Sequence, residues 1–350
     1  MYLTRREFAA AVACLAGCAK STSNTTTPPA SRVVVYTALD QEFSEPLFEP
    51  FTQATGIKVL PKFDTEATKT VGLFNTIRVE AESGNVRCDL FWNNEILNTL
   101  RLKQQGLLRP IHPPNADQFP LKFRAADNTW FGFAARARVL IVNTKLVPEA
   151  ESPKTIFDLT DEKWKRKVGI AKPLFGTTAT HAACLFAKLG SDRARQLFLD
   201  LKKNDIQILS GNKQVAVNVG NGTLPLGLTD TDDAIGELEK GMPVRLVYLD
   251  SDPGSPGLGT LFIPNTLAAL KNSPNPSAAE RLADYLLSQE VEAALARGPS
   301  AQIPLNSSVK IEPRVATPAT IHAMDVDWED AVRKWSETAK FIGEHFTGTK

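Results

Sequence analysis

The chain has no excess of charge of either sign: 40 basic residues stand against 39 acidic ones. Nothing electrostatic therefore selects nucleic acid as a partner. It contains neither GxxxxGK[ST] nor GxGxxG, the glycine patterns that cradle nucleotide phosphates. GxSxG is absent too, so the commonest serine-hydrolase signature is missing. There is no CxxC pair and no HExxH, and the histidines are only His112, His181, His322 and His345. Structural zinc is not expected from such a set. No segment approaches the ~20 apolar residues that a membrane-spanning helix needs, and no internal repeat is visible. Cysteine is scarce: Cys14, Cys18, Cys88 and Cys184.

What is present at the N-terminus points to a compartment. Arg5 and Arg6, in TRREF, precede a short small-residue apolar stretch from Ala9 to Gly17. A basic start before such a stretch reads as an export signal, and the paired arginines suggest the Tat route. Leu15-Ala16-Gly17-Cys18 looks like a bacterial lipobox. That resemblance implies cleavage before Cys18 and its lipidation, making residues 1–18 a signal and the mature protein periplasmic or otherwise extracytoplasmic, held to the membrane only by lipid. The polar stretch 19–31 cannot bury a core and reads as a flexible tether. Cys88 and Cys184 would then remain. An oxidising compartment permits them to pair, but two separate buried thiols are the plainer expectation.

The rest, with 43% apolar and 23% charged residues over the whole chain, suits one large or two ordinary soluble domains. VVVY at 33–36, the periodic FSEPLFEPFTQATG stopped by Gly56, and Ile57–Leu60 make a βαβ opening, hence a parallel sheet covered by helices. The pattern predicts a helix near 69–83, a strand at 89–92 and a helix over 95–105. WFGFAARARVLIVNTKLV reads as two strands broken at 134–136. A second series begins at Val168 with a strand, a helix over 179–189, a helix over 191–203, strands at 224–228 and 244–248, and a return to the first pattern near Leu261. The fold class is α/β in two lobes.

These residues carry a family likeness. VVVYTALDQEFSEPLFEPFTQATGIKV, DLFWNNE, ARARVLIVNTKLV and NPSAAERLADYLLSQEVEAALA with PSAQIPLNSSV resemble successive landmarks of the substrate-binding proteins of ABC transporters. The likeness is to their ferric-iron-binding branch, and it runs in order from about residue 32 to 345. It implies two lobes, 32–134 plus 260–350 and 139–248, joined by crossovers near 135–138 and 249–259 and closing on a ligand. It further implies a monomer that captures a small charged solute and delivers it to a membrane permease and its ATPase, with no catalysis and no resident cofactor. A ferric or other metal ion with an anion would be cargo.

In open α/β sheets ligands lie beyond the carboxyl ends of the strands. That rule selects the loops at 36–41, 92–95, 174–178, 210–212 and 229–233. Gly176, Thr177 and Thr178 open a helix, where unpaired N–H groups, hydroxyls and a partial positive charge suit an oxyanion; plain capping is the alternative. Arg136 and Arg138 offer guanidinium forks, either for that anion or for salt bridges between lobes. Asn212 aligns with an anion-holding position of the family. Asp40, Glu95, Asp230, Asp232 and Asp233 form an acidic set for a metal or an ammonium group, although Asp232 and Asp233 also suit a helix dipole. The family's iron binders show two adjacent tyrosines where this chain has TDTDD. Tyr36, Trp92 and Phe175 are expected to wall the cleft. Two solutes fit: a metal with a synergistic anion, or a zwitterion such as an aminoalkyl phosphonate. A ligand sensor or an enzyme on the same fold is the competing class.

Overall fold

The computed structural model describes residues 32–64, 71–252 and 257–346. The expected signal, Cys18 and the expected tether lie outside the described residues. Among the described residues, no helix is long and apolar enough to cross a membrane.

Among the described residues ten strands form one sheet. β1 (Arg32–Thr37), β2 (Lys58–Phe63) and β3 (Leu90–Asn93) are parallel. The short β4 (Leu108–Arg109) pairs with β10 (Phe262–Leu270), which also runs antiparallel to β3 and to β5 (Phe131–Asn143). β6 (Val168–Ala171), β7 (Gln207–Leu209) and β8 (Leu226–Asp230) form a second parallel set. The second half of β5 pairs antiparallel with β8 on one side and with β9 (Val244–Val247) on the other. Eight of the ten follow the order β2-β1-β3-β10-β5-β8-β6-β7, with β4 and β9 paired off that path. β5 is thus common to both sets, pairing over 131–137 with β10 and over 138–142 with β8.

The predicted break at 134–136 is not a gap. β5 is a single strand of 13 residues, and the irregularity is one residue in it, Ala134, at φ +42°. The left-handed region is unfavourable for a residue with a Cβ and needs outside support. Support comes from two side: the Ala134 N–H donates to Glu292 Oε1 at 2.6 Å, and its carbonyl accepts from Asn265 Nδ2. β10 shifts register beside it, between Ile263 and Asn265.

Gly56, at φ +70°, ends the helix Phe48–Thr55 as expected. Behind β1 and β3, Trp92 packs edge-on to Phe48 at 6.2 Å and against Phe133 at 5.3 Å. The C-terminal helix Trp328–Phe346 lies on the second set, with Phe341 at 5.7 Å from Phe186 and Phe346 at 5.9 Å from Phe198. Lys334 to Ser191 at 3.0 Å and Arg195 to Glu337 at 2.7 Å join it to the helix Ser191–Lys203. Its packing differs from the expectation that all of 260–350 goes with the first set. Cys88 and Cys184 are buried, separate thiols, and burial pushes both up in pKa.

Candidate functional site

The helix Gly176–Leu189 begins three residues earlier than the apolar pattern predicts, so Thr177 and Thr178 lie in its first turn. Gly176 takes φ +55°, and a Cβ there would meet nothing within 4 Å. No side chain caps this terminus. An uncapped terminus with open space beside Gly176 suits an anion.

Behind it lies a closed polar cluster. Antiparallel register sets Arg138 of β5 opposite Asp230 of β8. Arg138 Nη1 reaches Asp230 Oδ1 at 2.7 Å and Asn212 Oδ1 at 3.1 Å. Thr177 Oγ1 donates to Asp230 Oδ2 at 2.5 Å, while Asn212 Nδ2 donates to the same oxygen at 3.0 Å and to Thr177 Oγ1 at 2.8 Å. Thr178 Oγ1 donates to Asn212 Oδ1 at 3.2 Å. The structure thus gathers all the predicted anion-side residues except Arg136. Asp230, expected among the cation-holding acids, accepts from these anion-side residues while also keeping an oxygen within 4.8 Å of those of Asp232 and Asp233. Arg138 is 3% exposed, yet its Nε and Nη2 have no hydrogen-bond partner. A buried guanidinium with idle N–H groups is a costly arrangement that an oxyanion would relieve.

His181, one turn further along, is buried; desolvation and then the charge of Arg138 lower its pKa to about 3. It is neutral at physiological pH.

Arg136 turns to a second group. Its Nη2 donates to Asn265 Oδ1 at 3.2 Å, and Nη1 lies 3.6 Å from Asp232 Oδ2. Trp92 Nε1 donates to that same Asn265 oxygen at 3.3 Å, so Trp92 is tied into the core rather than free as a cleft wall. Sequence reasoning missed Asn265. Its signal was an amide within the otherwise apolar LFIPNTLAAL, where a polar side chain must find buried partners.

The acidic set divides. Asp230, Asp232 and Asp233 each bring a carboxylate oxygen within 4.8 Å of the others. Asp232 and Asp233 line the mouth of a cavity of about 310 Å³ together with Asp40, Glu42, Phe43 and Lys213. Lys213 bridges the mouth to Glu42 at 3.2 Å, and that bond, followed by the charges of Asp40 and Asp233, raises its pKa. Glu95 does not join them. It accepts from the N–H groups of Leu97 at 2.6 Å and Asn98 at 3.0 Å, and from Thr180 Oγ1 at 2.8 Å. It is fully buried, and its oxygens cap the helix Leu97–Gln104 instead of facing a cation. Tyr36 also points elsewhere: its hydroxyl donates to Glu80 Oε1 at 2.6 Å, and burial with that neighbouring carboxylate pushes its pKa up. Phe175 precedes Gly176, half-buried, with Lys172 Nζ 5.8 Å from its ring centre.

The Iron uptake protein A1 of Synechocystis is 26% identical over 287 residues, covering 79% of this chain and 78% of that one. Iron-bound HitA from Pseudomonas aeruginosa superposes with a TM-score of 0.79 at 23% identity, covering 90% of this chain and 100% of HitA. AfuA from Actinobacillus pleuropneumoniae, with fructose-6-phosphate bound, superposes at 0.78 and 23% identity, covering 90% and 98%. At those identities the two structures establish the two-lobed periplasmic-binding fold. The model of the bacterial extracellular solute-binding proteins matches residues 46–323, most of the chain. This chain therefore belongs to that family of bacterial extracellular solute-binding proteins.

Proposed function

We propose that the protein is the lipid-tethered receptor of an ABC importer, anchored through Cys18, and that it carries a hard cation together with a small oxyanion without chemically altering either. One juxtaposition supports this reading. Asp230, paired with Arg138 at 2.7 Å and bonded to Thr177 of the uncapped helix, also brings an oxygen within 4.8 Å of those of Asp232 and Asp233, which line the acidic cavity with Asp40. Carboxylates are hard oxygen donors for ferric and similar ions, and the helix terminus suits carbonate or phosphate. Iron-named relatives favour ferric ion as the metal. Residues 32–134 and 260–327 form one lobe in this reading, and 139–248 the other.

A second solute deserves testing for a specific reason. Residues 229–233 contain no tyrosine, and Asp230 is already neutralised by Arg138. A zwitterion with a phosphonate or phosphate at Gly176–Thr178 and an ammonium at Asp40 and Asp233 fits the same groups.

Thermal denaturation of the full chain against a solute panel decides between them. A ligand at ~100 times its Kd adds ~2.7 kcal/mol of stability. Ferric ion with carbonate or phosphate, other metals, aminoalkyl phosphonates, sugar phosphates and neutral sugars make up the panel. A ferric response lost in Asp233→Asn supports the metal; a metal-free phosphonate response lost in Thr178→Val supports the zwitterion. Stabilisation by a neutral sugar, unaffected by either substitution, overturns both.

A further inference from the structure

Trp335, on the C-terminal helix, shares a small gap with the loop that enters the candidate site. It projects from the C-terminal helix, and with Thr338 and Ala339 it faces Pro173, Leu174 and Ala179 across a gap of about 10 Å³. Pro173 and Leu174 are the turn that leads into Gly176–Thr178. On its other side Trp335 meets Arg101, whose guanidinium carbon is 4.8 Å from its ring centre. Arg101 stands on the helix Leu97–Gln104, and the same guanidinium is 4.2 Å from the ring of Phe74 on the helix Val71–Glu82. It also donates to Asn98 Oδ1 at 2.7 Å. Burial lowers its pKa, while the two ring faces favour its charged form. Trp335 thus joins the first-lobe helices to the turn before the anion terminus.

The C-terminal helix is fixed to the second set by Phe341, Phe346, Lys334 and Glu337. Beside Trp335, Thr338 Oγ1 is buried at the gap without a hydrogen-bond partner.

We infer that Trp335 is a positioning residue for solute binding, holding the turn Pro173–Leu174, and through it the Gly176–Thr178 terminus, in register with the first lobe by way of its stack on Arg101. The inference rests on the reading that Gly176–Thr178 receives solute, but its first test does not. Hydrogen exchange of the full chain, without solute, reads the first hydrogen-bonded amide of the helix, Ala179 to the Phe175 carbonyl at 3.2 Å. Trp335→Leu and Arg101→Met should each speed exchange of the 173–182 segment, by about threefold to thirtyfold for loss of a cation–ring contact of ordinary strength. The double variant should exchange no faster than Trp335→Leu alone, because both act through one stack. A merely local packing role for Trp335 predicts acceleration in Trp335→Leu and none in Arg101→Met, and that result overturns the inference, as does no change in either. Should Trp335→Leu fail to fold, Arg101→Met and Trp335→Phe carry the same comparison. In a second arm, ferric citrate is titrated against the parent and Arg101→Met; weakening by the same factor as the exchange effect is expected. If the parent itself does not bind ferric citrate, the choice of solute is wrong while the exchange result still decides the role of Trp335.

Discussion

Glu292, on the helix Gln289–Arg297, turns both carboxylate oxygens onto backbone N–H groups: Ala134 at 2.6 Å, Leu305 at 3.0 and 3.1 Å, Asn306 at 2.7 Å. Those donors favour the charged form, but with 1% exposure desolvation prevails and raises its pKa to about 7. The folded protein holds a proton on Glu292 over the range from its ordinary 4.5 to about 7, where the unfolded chain has released it. Its contribution to stability is therefore full below pH 4.5 and is lost as pH rises through 7, a change of about 3 kcal/mol. Urea midpoints of the parent should fall across that window, and the slope should flatten in Glu292→Gln. The variant should also be weaker at low pH by about 1–3 kcal/mol, since its amide NH2 must face N–H donors. An identical pH profile in parent and variant would exclude Glu292 as the source. Because Glu292 holds the left-handed Ala134, the same change loosens the point where β5 passes from one set of strands to the other.

At the scale of elements, what was legible in the sequence was what local pattern controls. β-branched runs mark β1 and β6, and Gly56 ends its helix through a conformation that needs no Cβ. The continuity of β5 was not legible, because Ala134-Ala135-Arg136 lacks large apolar residues and is held by Asn265 and Glu292, 131 and 158 residues away. The Arg138–Asp230 pairing likewise depends on strand register across 92 positions. Glu95, just ahead of its helix, accepts from the N–H groups of Leu97 and Asn98, a capping role that its position alone does not separate from cation binding. Asn212 reaches the polar cluster only because its helix, Asn212–Gly220, lies against β8 at a glycine. A Cβ on Gly227 would fall inside the radius of Val215 Cγ1 and come to 3.1 Å from Val219 Cγ2. Gly227→Ala should push that helix off the strand, cost about 1–3 kcal/mol and separate Asn212 from Thr177. Gly236→Ala is the contrast: it sits inside the helix Thr231–Glu239 with nothing within 4 Å of the added Cβ. It should gain up to about 1 kcal/mol of helix propensity. Chemical denaturation of the two variants checks both; a Gly227→Ala protein as stable as the parent would show that the helix can shift without loss.

Across the whole molecule, the two sets of strands meet through contacts that opening must break. Thr180 to Glu95 at 2.8 Å and Lys213 to Glu42 at 3.2 Å both cross between them. An exposed pair such as Lys213–Glu42 contributes little in water, and the buried bond to Glu95 is worth about 1 kcal/mol or somewhat more for its charge. A solute that touches both lobes shifts the population by the contacts that it makes only in the closed state. The direction in which the C-terminal helix travels is the sharper question, because it follows 260–327 in sequence but packs on Phe186 and Phe198. Packing should win over chain order, since residues 328–346 bury their aromatic face on the second set of strands and meet the first chiefly at Arg101. Spin labels at Gln53, Lys202 and Arg333, all exposed, distinguish the outcomes. On solute binding the Gln53–Lys202 and Gln53–Arg333 distances should both shorten, while Lys202–Arg333 stays fixed. A changing Lys202–Arg333 distance with a constant Gln53–Arg333 distance would place the helix with the first lobe after all. In that case Trp335 would slide over Pro173 and Leu174 as the cleft closes, instead of carrying them with it.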